Sequence, residues 1–299
     1  MQSIPFNKPG RFYRGNLHCH STYSDGTLSP EEVIAAYRGE GYDFVALTDH
    51  FWRHGARGVN DTRPLRTPEF TTLLGAELHA PRMESGVEWH LLGIGLPPDF
   101  AAPGESETMP EIARRAAHAG AFVGLAHPKG LNMTLADALS IDVAHGVEVW
   151  SDMSAQTNDA GESWYMADML ATYGHRRTAF ASDDAHFWPG IRAFGGWVQV
   201  RAEALDPDAL LAALKAGHYY ASHGPEIYDI AIDGDALHVR CSPARLVAVT
   251  GRGNRYAHRA GERITEATLP LAGVTEAYCR VTVVDAEGKR AWSNPIWFD

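Results

Sequence analysis

Short apolar runs alternate with helix-like stretches over about the first 220 residues of the chain. Ser29-Pro30-Glu31-Glu32 has the form of a helix start, with serine as the N-cap and Glu32 placed to complete a capping box. Further helices are predicted at 111–119, 163–173 and 207–216, and strands at 44–47, 71–76, 91–94, 121–126, 147–150 and 178–181. Strand–helix alternation of this kind predicts parallel strands with helical crossovers, which could close into a barrel.

The pattern changes at Pro225, after which no helical period is found. Strands are predicted at 227–232, 236–241, 246–250, 268–271, 278–285 and 296–298, with Gly-Asp and Glu-Gly turns between some of them. This part of the chain therefore predicts a small antiparallel β-sandwich at 225–299, appended to an α/β barrel at 1–224.

The composition of the 299 residues, 45% hydrophobic and 21% charged, is ordinary for a globular enzyme. A net charge of −11 argues against nonspecific binding to nucleic acid or to anionic lipid. The three cysteines are scattered without paired spacing, which indicates a reducing compartment. Residues 1–14 have no apolar signal-peptide core and the chain has no apolar run of about eighteen residues, so we expect a cytoplasmic protein without a membrane span.

The most informative segment contains His18 and His20, two residues apart at the end of a short apolar stretch. On a strand both imidazoles point to one side, where they can share a cation, while Cys19 points to the other side and packs in the core. Asp25 follows on a Ser-Asp-Gly turn and could reach the same place. This segment predicts the beginning of a metal site.

The remaining candidate ligands follow other predicted strands. They are His50, Glu77, His127, Asp184 and His186, with His90 placed just before its strand. In a barrel of parallel strands the carboxyl ends meet at one rim, so these side chains can converge. Six histidines and three carboxylates suit Zn, Mn or Fe, and nine ligands predict two or three divalent ions. Two metal ions about 3.5–4 Å apart share a bound water and lower the pKa of that water toward ~7.

Several positions have competing interpretations. His79 is a rival of His90, and Asp183 is a rival of Asp184, although the Asp-x-His spacing favours Asp184. Asp49 should point away from His50 and make a structural hydrogen bond. For groups that act on the substrate, the candidate catalytic residues are Lys129, which follows the His-Pro pair, together with Arg192 and His223.

Taken together, the motifs resemble the PHP (polymerase and histidinol phosphatase) family of metal-dependent phosphoesterases. They are HCH at 18–20, SDG at 24–26, TDH at 48–50, GAE at 75–77, AHP at 126–128 and DAH at 184–186. The resemblance implies a distorted (β/α)7 barrel with a trinuclear centre over about residues 14–190. It implies one ion on His18, His20, Glu77 and Asp184, a second on Glu77, His90 and His127, and a third on Asp25, His50 and His186. The 215–225 and 291–296 segments resemble a subgroup that includes a carbamate-insecticide hydrolase.

No G-x-S-x-G elbow, P-loop or dinucleotide fingerprint occurs in the sequence. The expected nucleophile is therefore hydroxide bridging the metals. The expected substrate is a small, anionic phosphate monoester or diester, with neither nucleic acid as a scaffold nor a membrane as partner. Two alternatives remain open: a hydrolase of carbamates, carboxylic esters or amides with the same metal centre, and a non-catalytic metal-binding module.

Overall fold

The computed structural model describes residues 4–298, so the outermost residues of the two predicted domains lie outside it. The strands are β1 (Arg11–Asn16), β2 (Phe44–Leu47), β3 (Thr71–Ala80), β4 (Trp89–Ile94), β5 (Phe122–Leu125), β6 (Gly146–Ser151), β7 (Thr178–Ser182), β8 (Trp197–Ala202), β9 (Tyr219–Ser222), β10 (Ile227–Asp233), β11 (Ala236–Gly251), β12 (Tyr256–Pro270), β13 (Tyr278–Val284), β14 (Arg290–Ser293) and β15 (Ile296–Trp297). The α-helices are α1 (Pro30–Gly39), α2 (Met109–His118), α3 (Leu135–Ser140), α4 (Asp152–Thr157), α5 (Trp164–Thr172) and α6 (Pro207–Lys215). None of the helices within 4–298 has the length and apolar character needed to cross a membrane.

Local sequence explains where the first helix begins and why the strands beside it are apolar. The Ser29 side chain accepts a hydrogen bond from the Glu32 backbone N–H, and the Glu32 carboxylate accepts one from the Ser29 N–H at 2.8 Å. This reciprocal pair satisfies two backbone donors that a helix start leaves free. The following strand, β2, is buried along its whole length because parallel strands flank it on both sides.

The protein has a mixed α/β fold with a central sheet in the order β10-β11-β13-β14-β9-β8-β1-β2-β3-β4-β5-β6-β7. Strands β1–β2–β3 and β5–β6–β7 are parallel, as the alternating pattern predicts. β7 also lies near β9, since the Tyr219 hydroxyl donates to Thr178 Oγ1 at 2.6 Å. The hydrogen-bonded order nevertheless has two ends, β10 and β7, and the closed barrel stays a prediction.

One strand runs against the predicted direction. β4 is antiparallel to both β3 and β5, and a turn at 81–88 joins it to β3 where the sequence pattern suggested parallel strands with helical crossovers. A short turn can only return the chain alongside the strand it has left, which forces the antiparallel pairing. The beginning of β4 therefore lies at the same edge of the sheet as the ends of β3 and β5.

Two of the C-terminal strands, β11 and β12, are longer than predicted. Those predicted at 236–241 and 246–250 form the single strand β11, whose register with β12 shifts between Arg240 and Leu246. β14 pairs with β9, so these strands join the same sheet as the rest of the fold. Their apolar core includes Val247 and Val249, and also Tyr220 from β9. The separate β-sandwich and the boundary between 224 and 225 stay predictions.

Candidate metal centre

Residues that lie far apart in the sequence meet at one edge of the sheet. His18 and His20 follow β1, and His50 follows β2. An isolated parallel bridge between His50 and Glu77 continues the pairing of β2 with β3 beyond the end of β2. Glu77 lies within β3, which extends beyond its predicted end to Ala80. Cys19 is fully buried in an apolar cluster, as the alternation of strand side chains predicts.

The buried carboxylate of Glu77 is surrounded by imidazoles. Its Oε1 lies 2.8 Å from His90 Nδ1 and 3.1 Å from His127 Nε2. Its Oε2 lies 2.7 Å from His50 Nδ1, and His18 Nε2 lies 3.5 Å from Oε1. His90 can reach Glu77 from the beginning of its strand because β4 is antiparallel. This ionised group in the core would be costly without such neighbours or a cation.

Two further carboxylates complete the cluster. Asp184 Oδ1 lies 3.1 Å from His20 Nε2 and 3.3 Å from His18 Nε2. Asp25 Oδ1 lies 3.3 Å from His186 Nε2. Asp184 has a positive φ of 56°, a conformation that non-glycine residues adopt rarely and that is found at functional sites.

All nine predicted ligands fall into groups that could hold a metal ion. In each group, potential ligand atoms lie within 4.8 Å of one another, and the groups include His20/Asp25/His50/His186, His18/His127/Asp184, His18/His20/Glu77, His50/Glu77/His79 and Glu77/His90/His127. Buried atoms at this cluster that have no hydrogen-bond partner within residues 4–298 include His18 Nε2 and His20 Nδ1. A nitrogen and oxygen donor set with unpartnered imidazole nitrogens fits a divalent cation of the Zn, Mn or Fe type.

The electrostatics of the cluster indicate what a cation would replace. Burial and the neighbouring His186 lower the pKa of His20 to about 4. For His50, burial lowers the pKa, but Glu77 and Asp25 more than offset it and raise the value to about 10. Protons on imidazoles such as that of His50 therefore neutralise the carboxylates while no cation is bound. Metal binding must displace such protons.

The two neighbouring aspartates differ in their surroundings. Asp183 accepts hydrogen bonds from the Tyr37 hydroxyl at 2.6 Å and from the Gly196 backbone N–H at 2.8 Å. Burial raises the pKa of Asp183 to about 7. Its carboxyl group is thus occupied away from the histidines, whereas Asp184 faces them. The geometry favours Asp184 as the candidate ligand.

Asp49 makes the structural hydrogen bonds expected of it. Oδ1 accepts from the Ser21 N–H and the Ser24 hydroxyl, both at 2.7 Å. Oδ2 accepts from the Ser21 hydroxyl at 2.8 Å and from Asn60 Nδ2 at 3.1 Å. The carboxylate thereby fixes the turn that presents Asp25.

Sequence reasoning missed two residues and underrated a third. His79 Nε2 lies 2.8 Å from His50 Nδ1, so His79 and its cross-strand neighbour His90 both border the cluster. His54, missed because nothing in its surrounding turn indicates a ligand, has Nδ1 3.9 Å from Asp25 Oδ2. Glu148 was also missed, although a charged residue within the apolar run of β6 was a usable signal; its Oε1 lies 3.1 Å from His18 Nδ1.

The three candidate catalytic residues make hydrogen bonds and ring contacts outside the cluster. Lys129 Nζ donates to the Asp159 carbonyl at 2.8 Å and borders a groove of about 410 Å³. Arg192 Nε donates to Gln156 Oε1 at 3.4 Å. The His223 ring stacks on Trp150 with centroids 4.1 Å apart. Burial and the charges of Arg290 and Lys289 lower the pKa of His223 to about 4, so its imidazole is neutral at pH 7.

Comparison with known proteins gives short sequence matches and a similarity of fold over nearly the whole chain. An 83-residue segment, 27% of this chain, is 36% identical to the DNA polymerase/3'-5' exonuclease PolX of Bacillus subtilis and spans 15% of that protein. A 35-residue segment, 12% of this chain, is 51% identical to a 5'-3' exoribonuclease of Haemophilus influenzae and spans 13% of it. The chain therefore spans only a small part of either relative.

A two-domain protein from Bacteroides vulgatus, described as containing a predicted PHP-like metal-dependent phosphoesterase, has a similar fold. The similarity has a TM-score of 0.55 and covers 99% of each chain, at 13% sequence identity. At that identity the similarity concerns the fold alone. The PHP domain family model matches residues 16–186, which is more than half of the chain and includes all nine candidate ligands. The chain belongs to the PHP domain family.

Proposed function

We propose that this protein is a metal-dependent phosphoesterase that hydrolyses a small anionic phosphate ester. The observation that carries the proposal is the convergence of nine histidine, aspartate and glutamate residues at one edge of the sheet. Membership of the PHP domain family adds support for a hydrolase. A structural role for so many buried ionisable groups is a poor alternative, because apolar residues would stabilise the fold at lower cost.

We propose two or three divalent ions of the Zn, Mn or Fe type in this cluster. His18, His20, Glu77 and Asp184 would hold one ion, Glu77, His90 and His127 a second, and Asp25, His50 and His186 a third. Each set matches or overlaps a group whose ligand atoms lie within 4.8 Å of one another. Bound ions would supply Lewis acidity toward the oxygens of the ester and of water.

The chain itself contributes positioning and charge. Asp49 holds the turn that carries Asp25, and the left-handed backbone of Asp184 directs its carboxylate toward His18 and His20. Lys129 follows His127 by two residues and borders a groove, where its ammonium group could stabilise the negative charge of the ester.

Arg192 and His223 are proposed as further substrate contacts, together with Lys129. The alanine variants of Lys129 and Arg192 should raise KM for an anionic ester more than for a neutral one, whereas that of His223, whose imidazole is neutral, should raise KM for both. An unchanged KM for both kinds of ester would remove that residue from the proposal.

The choice of ester is tested with a panel of phosphomonoesters, phosphodiesters, aryl carbamates and carboxylic esters. Turnover of phosphate esters by metal-loaded protein is expected. Turnover of carbamates alone would favour the subgroup that includes a carbamate hydrolase, and no turnover with metals fully loaded would favour a binding module. The net charge of −11 supports a small substrate rather than a nucleic-acid scaffold.

Glu77→Gln provides the sharpest single variant, because it removes the carboxylate from the centre of the cluster while keeping the size of the side chain. Loss of turnover together with reduced metal content by mass spectrometry is expected. His258→Ala, which changes an exposed histidine in β12, serves as the control and should retain both. Full activity and unchanged metal in Glu77→Gln would refute the proposal.

A further inference from the structure

Glu148 is a carboxylate in a place where a strand normally carries an apolar residue. It lies within β6, which pairs with β5 on one side and β7 on the other, and its side chain is fully buried. Placing an ionised carboxylate in such a position is costly unless hydrogen bonds compensate for the lost water. Hydrogen bonds from neighbouring groups must therefore stabilise the Glu148 carboxylate.

Three donors from three other parts of the chain meet at this carboxylate. Oε1 lies 3.1 Å from His18 Nδ1 and also accepts from the Ser182 hydroxyl at the end of β7. Oε2 accepts from the backbone N–H of His127 at 2.5 Å. His127 has a positive φ of 25°, so this hydrogen bond holds the backbone in a sparsely populated conformation.

The contact with His18 also determines which imidazole nitrogen carries a proton. A carboxylate can only accept, so Nδ1 must donate to Glu148. Nε2 is then the nitrogen available for ligation, and it faces Glu77 Oε1 at 3.5 Å and Asp184 Oδ1 at 3.3 Å. In metal sites, a carboxylate bonded to the second nitrogen of a histidine ligand fixes both the tautomer and the ring orientation.

We propose that Glu148 is the positioning residue of the metal centre. It fixes the Nδ1–H form of His18 and the backbone of His127, two candidate ligands that follow different strands. The metal-binding part of this inference rests on the proposed function, whereas the assignment of the His18 proton to Nδ1 does not.

Glu148→Gln is a nearly isosteric change with an unusual expected effect. The backbone N–H of His127 can only donate, so the single amide oxygen should turn toward it. The amide NH₂ then faces His18 Nδ1 and Ser182 Oγ, which can both accept. His18 must now carry its proton on Nε2, the nitrogen needed for ligation. We expect zinc, used as the probe ion, to bind about 10–100-fold more weakly.

The experiment combines zinc affinity, from competition with a chromophoric chelator, with nitrogen-15 NMR of the histidine side chains. The wild-type protein should show a protonated His18 Nδ1 with and without zinc. Ser182→Ala is the matched control: it removes one donor to Glu148 but leaves the His18 and His127 contacts, so its zinc affinity should stay within about twofold of wild type.

Two results would overturn the inference. One is an unprotonated His18 Nδ1 in the wild-type protein, which can be observed even if no variant folds. The other is a folded Glu148→Gln variant that binds zinc as tightly as wild type. A wild-type protein that binds no zinc but retains the Nδ1 proton would instead count against the proposed function, and the positioning of His18 would stand.

Discussion

Replacing Asp49 by alanine should release the turn that presents Asp25 to the metal centre. Asp49 is buried, and its carboxylate accepts hydrogen bonds from the backbone N–H and the hydroxyl of Ser21 and from the side chains of Ser24 and Asn60. In Asp49→Ala the half-buried Ser24 and Asn60 side chains can turn to water. The fully buried Ser21 groups have no such alternative.

The magnitude follows from the two Ser21 contacts. Hydrogen bonds to charged groups contribute roughly 1.5–3 kcal/mol each, so losing two should lower the free energy of unfolding by about 3–6 kcal/mol. Asp49→Asn should cost only about 1–2 kcal/mol, because a carboxamide can accept from the Ser21 N–H and donate to its hydroxyl. The alanine variant should also retain less metal after dialysis, since Asp25 loses its fixed position.

Urea unfolding of chelator-treated protein measures the stability change, and mass spectrometry measures the metal retained after reloading. Asp61→Ala is the control, because Asp61 is an exposed aspartate whose carboxylate contacts Arg63 at 2.7 Å. A surface pair of that kind contributes up to about 1 kcal/mol. The reasoning fails if Asp49→Ala is no less stable than Asp61→Ala and holds its metal as tightly.

Three other outcomes are expected. Addition of the bound metal at 100 times its Kd to chelator-treated protein should stabilise it by about 2.7 kcal/mol and raise Tm by roughly 5 °C or more, whereas a Tm insensitive to metal would contradict binding to the native state. Gly195→Ala should destabilise by about 1–3 kcal/mol in urea unfolding, because a Cβ would collide with the Asp152 carboxylate, while Gly39→Ala, with open space, should be neutral or stabilising; equal effects would argue against the collision. Burial and nearby cations lower the pKa of His145 to about 4, so its neutral form stabilises the fold fully above pH 6.5 and loses this contribution as the pH falls toward 4. After discounting for partial exposure, this loss should be about 1–2 kcal/mol and should vanish in His145→Asn, and identical pH profiles of the two proteins would refute it.

The convergence of the candidate site follows directly from its sequence motifs. Each of His18, His50 and His127 comes two or three residues after the end of a strand, and parallel strands bring the residues that follow them to the same edge of the sheet. The sequence also predicts that Asp49 and Cys19 point away from the neighbouring histidines, because successive side chains of a strand alternate between its two faces. Periodicity and order along the chain carry this information without any knowledge of tertiary contacts.

Features set by tertiary pairing were not predictable in this way. The direction of β4 depends on the length of its connection, and an apolar run reads the same in either direction. β11 continues through Ser242 and Pro243, residues that on local propensity end a strand, because a bulged register with β12 accommodates them. The strands β8, β9 and β14 and the helices α3 and α4 were also missed.

The hairpin formed by β3 and β4 allows the turn at its tip to change in length without moving the metal centre. Glu77 and His90 are held by cross-strand pairing that ends at Ala80 and Trp89, so the turn beyond that pair has no part in placing them. Residues can be gained or lost there while both side chains keep their separation. A Gly-Ser insertion after Gly86 should leave metal content unchanged by mass spectrometry. The tip of this hairpin is thus a natural point at which to graft new segments beside a fixed reactive centre.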